Sequence, residues 1–327
     1  MKLRLGTFNL FQFVAPPFSW YIKKDRFTKE EFESKKSWIK QQISQMDCDI
    51  IGFQEVFSAH VLEELVKELG FTYFQTTDCA KLENNSVFMS TVVAIASKYP
   101  IKELQKIAID STKSKNDFQF SRLPIKAHIV LPNQEELWVY VCHLKSNRLN
   151  EFEYVFKKTD TLLKKKEVTK NALKNGYSPA LKQRLQEATA LFFDIKKEKL
   201  PVILMCDLND KEFSITIDAL SNKSYYTKEA KKDNLLLYDA YNLLEHKIYN
   251  PHPEQKELKR TPTSYYQAHG NVLDYIFVSR AFHPQKKECI APVTSYEIFD
   301  AHLQKNQNGS LLQSDHAQVV CEVLYNK

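Results

Sequence analysis

The sequence predicts one α/β domain, spanning residues 1–327, with two β-sheets and flanking helices. Three observations predict it. Short apolar, β-rich runs recur along the whole chain, helices with readable start and stop signals lie between them, and no internal repeat or low-complexity linker divides the series. The first run is Leu3 to Phe8. A helix follows, with Thr28 and Glu31 spaced as a capping box and Phe32, Ile39, Ile43 and Met46 on one face. Asp49 to Phe53 reads as the next strand. Ser58 is placed to cap a second helix, which Val61, Leu62, Leu65, Val66 and Leu69 make apolar and Gly70 stops. Further strands are predicted at Val92–Ser97, Ile125–Leu131, Leu137–Cys142, Val202–Cys206, Leu273–Val278 and Ala317–Leu324. Before Val202 comes a helix with Ser178 at its cap and Pro179 at its first position. Leu181, Leu185, Ala188, Phe192 and Ile195 form its apolar stripe.

Composition narrows the chemistry. With 327 residues, 43% hydrophobic and 26% charged, the chain can bury a substantial core. Its six Gly are too scattered for a dinucleotide fingerprint or a P-loop, so neither of those phosphate cradles is present. The six Cys are also dispersed, which excludes a CxxC zinc or redox signature. Cys48, Cys142, Cys206 and Cys321 fall in or beside apolar runs and are expected to be buried reduced thiols, as in a reducing compartment. There is no signal peptide before the first apolar run and no run of membrane-spanning length. Taking Met1 as the native start, we expect a cytoplasmic monomer. A net charge of +6 is compatible with a polyanionic substrate without requiring one. The lysines between Lys157 and Lys174 read first as a solvated helix face, and second as a patch for a polyanion.

The informative residues lie at the ends of the strands. Leu5–Phe8 runs into Asn9, Ile50–Phe53 into Gln54-Glu55, Val139–Cys142 into His143, and Val202–Cys206 into Asp207-Leu208-Asn209. Asp274 stands just inside the start of Leu273–Val278, and Asp315-His316 directly precedes Ala317–Leu324. Each alone is an ordinary turn or loop residue. Taken together they are an oxygen-rich set with two histidines, which suits a hard cation such as Mg²⁺ or Mn²⁺ better than zinc if the strand ends converge.

This ordered set, Asn9, Gln54-Glu55, His143, Asp207-Leu208-Asn209, Asp274 and Asp315-His316, resembles the endonuclease/exonuclease/phosphatase superfamily. Gly52-Phe53-Gln54-Glu55-Val56, His143-Leu144-Lys145-Ser146 and Ser314-Asp315-His316 add to the likeness, which runs from residue 9 to residue 316. One departure is Cys206, where the family commonly has Gly before Asp-x-Asn. The resemblance implies a four-layer α/β/β/α sandwich and a Mg²⁺- or Mn²⁺-dependent hydrolase of phosphate esters. It implies that Glu55 is the main metal ligand, helped by Asn9 and Asp315. His316 polarised by Asp274, or alternatively Asp207, would be the general base. Asn209 and His143 would donate to phosphoryl oxygens, with Arg122 and Lys145 as further phosphate contacts.

Three functions are then in play. The first is a phosphodiesterase acting on nucleic acid, DNA or RNA, or on nucleotides. His143 supports it: abasic-site nucleases of the superfamily typically carry Tyr there, while deoxyribonuclease-like and lipid-headgroup members carry His, which disfavours base-excision repair and leaves a less selective nuclease open. The second is a phosphatase or phospholipase-like enzyme on inositol phosphates or a sphingomyelin-type lipid. An exposed apolar loop would favour it, and Phe11, Phe13, Pro16, Pro17, Phe18, Trp20 and Tyr21 either form one or pack on the following helix. The third is an inactive binding module, against which the complete motif set argues.

Overall fold

The computed structural model describes residues 1–109, 118–147, 154–176, 178–227, 234–246, 259–266, 269–305 and 310–325. In chain order its main strands are β1 (Lys2–Phe13), β2 (Ile50–Val56), β3 (Tyr73–Thr76), β4 (Val92–Ser97), β5 (Ile101–Leu104) and β6 (Ile125–Val130). They continue with β7 (Glu136–His143), β8 (Val202–Asp207), β9 (Tyr238–Asp239), β10 (Asp274–Val278), β11 (Val293–Phe299) and β12 (Gln318–Leu324). The helices that cover them are α1 (Lys29–Met46), α2 (Ala59–Glu68), α3 (Leu162–Lys174), α4 (Pro179–Ile195) and α5 (Ile215–Ser221).

These strands build two six-stranded mixed sheets, ordered β11-β12-β1-β2-β4-β3 and β9-β10-β8-β7-β6-β5. The expected four layers follow. Between the sheets lies a core of Leu3, Leu5, Ile95, Val139, Val141, Met205 and Ile276. The outer face of the first sheet packs on α1 and α2 through Phe8, Phe53, Ile39, Ile43 and Leu62. The second sheet packs on α4 and α5 through Tyr140, Leu204, Leu185, Leu191 and Leu220. The buried thiols expected at Cys48, Cys142, Cys206 and Cys321 are there. No helix among the described residues is long and apolar enough to cross a membrane.

Close approach of the sheets explains Gly52. A Cβ there would stand 2.9 Å from both methyls of Val141 and 3.2 Å from the Met205 methyl. Gly52→Ala should therefore cost about 1–3 kcal/mol through overpacking. A lowered urea midpoint with an unchanged slope would show it; an unshifted midpoint would mean that the sheets can part without strain.

The capping box at Thr28 and Glu31 is present in both directions. Two predicted caps are not. Neither Ser58 nor Ser178 caps its helix with a side-chain hydrogen bond. The Ser58 hydroxyl accepts instead from the Ala15 amide at 2.8 Å and so ties the β1 loop to β2. The lysines from Lys164 to Lys174 lie on α3, with Lys157 and Lys158 before it, and several are tied internally. Lys164 pairs with Asp160 at 2.6 Å, the buried Lys165 pairs with Asp218 at 2.8 Å, and Lys166 donates to the Tyr225 carbonyl. The aromatic run after Asn9 packs inward. Phe13 is buried against Phe32 and Trp20 against Phe27, with Pro17 and Tyr21 left exposed.

Candidate active site

Sheet register gathers the polar strand ends. β1 and β2 are parallel with Asn9 opposite Gln54, and β7 and β8 are parallel with His143 opposite Asp207. β10 runs antiparallel to β8 and sets Asp274 opposite Asp207, while β12 runs antiparallel to β1. The C-terminal ends of β1, β2, β7 and β8 thus meet the N-terminal ends of β10 and β12 at one edge of the sandwich. The sequence reading required this convergence.

Two opposed bulges aim the first pair. The β1–β2 pairing shifts register between Asn9 and Phe13, and the β2–β4 pairing shifts between Phe53 and Val56. Phe11, Gln12 and Glu55 all take left-handed backbone, at φ 50, 62 and 58. Such conformations cost about 1–3 kcal/mol each in non-Gly residues and persist where surroundings enforce them. The result is that the Gln12 amide donates to the Glu55 carboxylate at 3.0 Å and the Asn9 side-chain amide donates to Asp207 at 3.0 Å. Gln54 turns the other way and is anchored on Thr7.

Asp207 is the hub of the second cluster. It is 1% exposed and accepts from the Asn209 amide at 2.8 Å, and it lies 3.3 Å from His143 Nε2 and 4.0 Å from His316 Nε2. Burial raises its carboxyl to about 6; His316 opposes the rise and Asp274 adds to it. The opposite ring nitrogen of His316, Nδ1, meets Asp274 at 2.8 Å. Burial alone would lower His316, but Asp274, Asp207 and Asp315 outweigh it and hold the imidazole protonated, well above its ordinary value. His143 goes the other way: burial, with the charges of Arg122, His316 and Lys145, keeps it neutral. Asn209, at φ 49, spends its side-chain amide on the Leu144 carbonyl at 3.1 Å. As a phosphoryl donor it would have to exchange that bond.

Glu55 and Asp315 could hold a cation. Burial raises the Glu55 carboxyl and the nearby Asp315 raises it further, against the pull of Arg122 and His316. Asp315 is raised chiefly by burial, and its Oδ1 is buried without a hydrogen-bond partner. Two neighbouring half-buried carboxylates, one with an unused oxygen, fit a hard divalent cation. Asp207, Asp274 and His316 also lie close enough to share an ion. We prefer the Glu55–Asp315 side, because the imidazole of His316 is held protonated by the carboxylates around it and a protonated imidazole does not ligate a cation.

The phosphate contacts expected at Arg122 and Lys145 lie beside this edge. The Arg122 guanidinium donates to the Leu144 carbonyl at 2.9 Å and to Ser146 Oγ at 3.2 Å, and its charge acts on Glu55 and His143. Several supporting residues were not singled out from the sequence. Ser314 Oγ donates to the Asn9 carbonyl at 2.8 Å and accepts the His316 amide at 3.0 Å, joining both ends of the chain. Thr263 Oγ1 accepts the Leu273 and Asp274 amides. Lys35, wholly buried, donates to the Leu311 and Gln313 carbonyls, both at 2.7 Å, just before Asp315. Burial brings its ammonium down to about 7, opposed by Asp315 and Glu55. One sequence signal could have found it: Lys35 interrupts the apolar stripe of α1 between Phe32 and Ile39.

This fold and edge define a two-sheet α/β sandwich of the kind that hydrolyses phosphate esters. The chain belongs to the Endonuclease/Exonuclease/phosphatase family, whose model matches residues 6–316. A search of curated proteins returns no match. Solved structures share the fold. A humanized D. rerio TDP2 superposes with a TM-score of 0.57 at 12% identity, over 100% of this chain and 99% of that one. A family protein from Bacteroides thetaiotaomicron gives 0.56 at 16%, over 100% and 99%. The human Nocturnin catalytic domain with a bound sulfate gives 0.55 at 17%, over 99% and 94%.

Proposed function

We propose that the protein is a Mg²⁺- or Mn²⁺-dependent phosphodiesterase acting on nucleic acid or nucleotides. The observation that carries the reading is the row Asp274–His316–Asp207, hydrogen-bonded at 2.8 Å on the Asp274 side and 4.0 Å apart on the Asp207 side, beside the Glu55–Asp315 carboxylates. It supports the reading because groups suited to proton transfer would stand next to a bound cation. Glu55, Asp315 and Asn9 would hold the metal, which when bound neutralises phosphoryl and leaving-group charge. Asp207, raised to about 6, is suited to take the proton of the attacking water. His316, kept cationic by Asp274, is suited to stabilise the phosphorane oxygens, with His143, Asn209, Arg122 and Lys145 around them.

Nucleic acid or nucleotide is preferred over lipid because Phe13 and Trp20 of the aromatic segment after Asn9 pack inward, which leaves Pro17, Tyr21 and Ile22 as its exposed apolar residues. A D. rerio TDP2 of the same fold was solved with a single-strand DNA product, which supports the same preference. The test is a panel of plasmid DNA, single-stranded DNA, RNA, bis-p-nitrophenyl phosphate, inositol phosphates and sphingomyelin, with Mg²⁺, with Mn²⁺ and with EDTA. The expected result is cleavage of the nucleic acids or the small diester with either metal and none with EDTA. Undiminished hydrolysis after exhaustive chelation would remove the metal, and activity confined to sphingomyelin or inositol phosphates would replace the substrate.

A further inference from the structure

We propose that Glu187 and Arg184, two buried charges one turn apart on α4, are positioning residues for the anion-binding rim of the site. The proposal rests on the phosphoesterase reading above. Glu187 is 1% exposed and Arg184 4%. One oxygen of Glu187 accepts the Ser121 amide at 2.8 Å, and the other accepts the Lys145 amide at 2.8 Å. A single carboxylate therefore holds the residue next to Arg122 and the residue two beyond His143. Arg184 donates to the Lys145 carbonyl at 3.1 Å, so that residue is gripped at both its amide and its carbonyl. Arg122 closes the circuit with its bonds to the Leu144 carbonyl and Ser146 Oγ.

Ordinary packing does not call for these residues. α4 already buries Leu181, Leu185, Ala188 and Leu191 against the second sheet, and burying two charges is expensive unless their hydrogen bonds are used. Apart from the ion pair of Arg184 with Asp210 at 3.5 Å, the loop-directed contacts go to the two segments that carry Arg122 and Lys145. The consequence is a guanidinium whose direction is fixed before any anion arrives. Such a donor loses little freedom on binding a phosphoryl oxygen. The clamp touches neither the proposed metal ligands nor the Asp207–His316 pair. Its removal should weaken anion binding and leave metal binding alone.

Glu187→Gln keeps the shape but turns an amide donor towards one of the two backbone amides. Affinity for inorganic phosphate, by calorimetry at saturating Mn²⁺, should fall by about 10-fold. KM for bis-p-nitrophenyl phosphate should rise by a similar factor with kcat within about threefold of wild type, the pattern of lost uniform binding. Mn²⁺ affinity should not change. In a cycle with the pair Arg122→Ala and Lys145→Ala, adding Glu187→Gln should weaken phosphate binding no further, because the clamp acts through those two side chains. Arg184→Lys should show the same signature in milder form, and it carries the test if Glu187→Gln does not fold. Additive losses in the cycle, unchanged phosphate affinity in a folded variant, or failure of both variants to fold would each overturn the proposal and make the pair structural. Because phosphate binding needs no turnover, a wild-type protein that hydrolyses no diester would sink the functional reading and still leave the clamp to be judged.

Discussion

Asp207→Asn and His316→Ala are each expected to lower kcat on a phosphodiester by about 10²–10⁴-fold, the usual weight of a general acid or base. The two variants should differ in stability. His316 is 7% exposed and is the hydrogen-bond partner of one Asp274 oxygen, while the other Asp274 oxygen already lacks one. Removing the imidazole leaves that carboxylate buried and unpaired, so His316→Ala should melt several degrees below wild type. Asp207→Asn instead removes a charge whose burial the fold resists, since its carboxyl is raised to about 6, and gives up one acceptor oxygen. These effects oppose each other, and its melting temperature should stay within a few degrees of wild type. The pH profile gives the sign. If Asp207 accepts the proton of water, kcat rises as the pH climbs through its carboxyl pKa. That limb should lie no higher than about pH 6, because a cation bound nearby can only lower the carboxyl further. A rate within threefold of wild type in either variant would remove that residue from the mechanism. A first limb well above pH 6 would argue against Asp207 as the acceptor.

Much of this site was legible because strands that end in functional residues do so abruptly. Val202–Cys206 is uniformly apolar and then meets Asp207, and Val139–Cys142 does the same before His143. Apolar runs locate these two strands to within a residue, whereas β1 and β2 run past their expected ends at Phe8 and Phe53 to Phe13 and Val56, and sheet register then brings the polar residues together. The weakly patterned elements were not legible. β3, β5, β9 and β11 were not predicted; all four lie at sheet edges, and the first three are only two to four residues long, so burial imposes little pattern on them. The bulges at Asn9 and Glu55 were equally silent, since nothing in Phe11, Gln12 or Glu55 advertises left-handed backbone. Ser58 and Ser178 read as caps because their residue type fits. Tertiary contact decided otherwise for Ser58, whose hydroxyl serves Ala15. Lys165 could not be separated from its solvated neighbours on α3, because its partner Asp218 is remote in sequence.

Glu55→Gln should make the metal-free protein as stable as wild type or more so, and abolish most of its response to metal. The Glu55 carboxyl is raised above its ordinary value by burial and by the adjacent Asp315. A carboxyl raised in the folded state favours its neutral form there. At neutral pH its charge therefore opposes folding, and an uncharged isostere relieves that opposition. The Gln12 amide keeps an acceptor, because the substituted side chain still presents a carbonyl oxygen to it. The same substitution removes the anionic ligand opposite Asp315, so affinity for Mn²⁺ should fall by more than about 10-fold, at least the loss that outer-shell changes cause at metal sites. Since a ligand stabilises the folded state by RT ln(1 + [L]/Kd), the rise in melting temperature that Mn²⁺ gives wild type should shrink in the variant and return in part at high metal. Differential scanning calorimetry with EDTA and across a Mn²⁺ series reads both effects. A metal-free variant several degrees less stable than wild type would mean that Glu55 is a structural carboxylate held by Gln12. An undiminished Mn²⁺ shift would move the cation to the Asp207, Asp274 and His316 cluster.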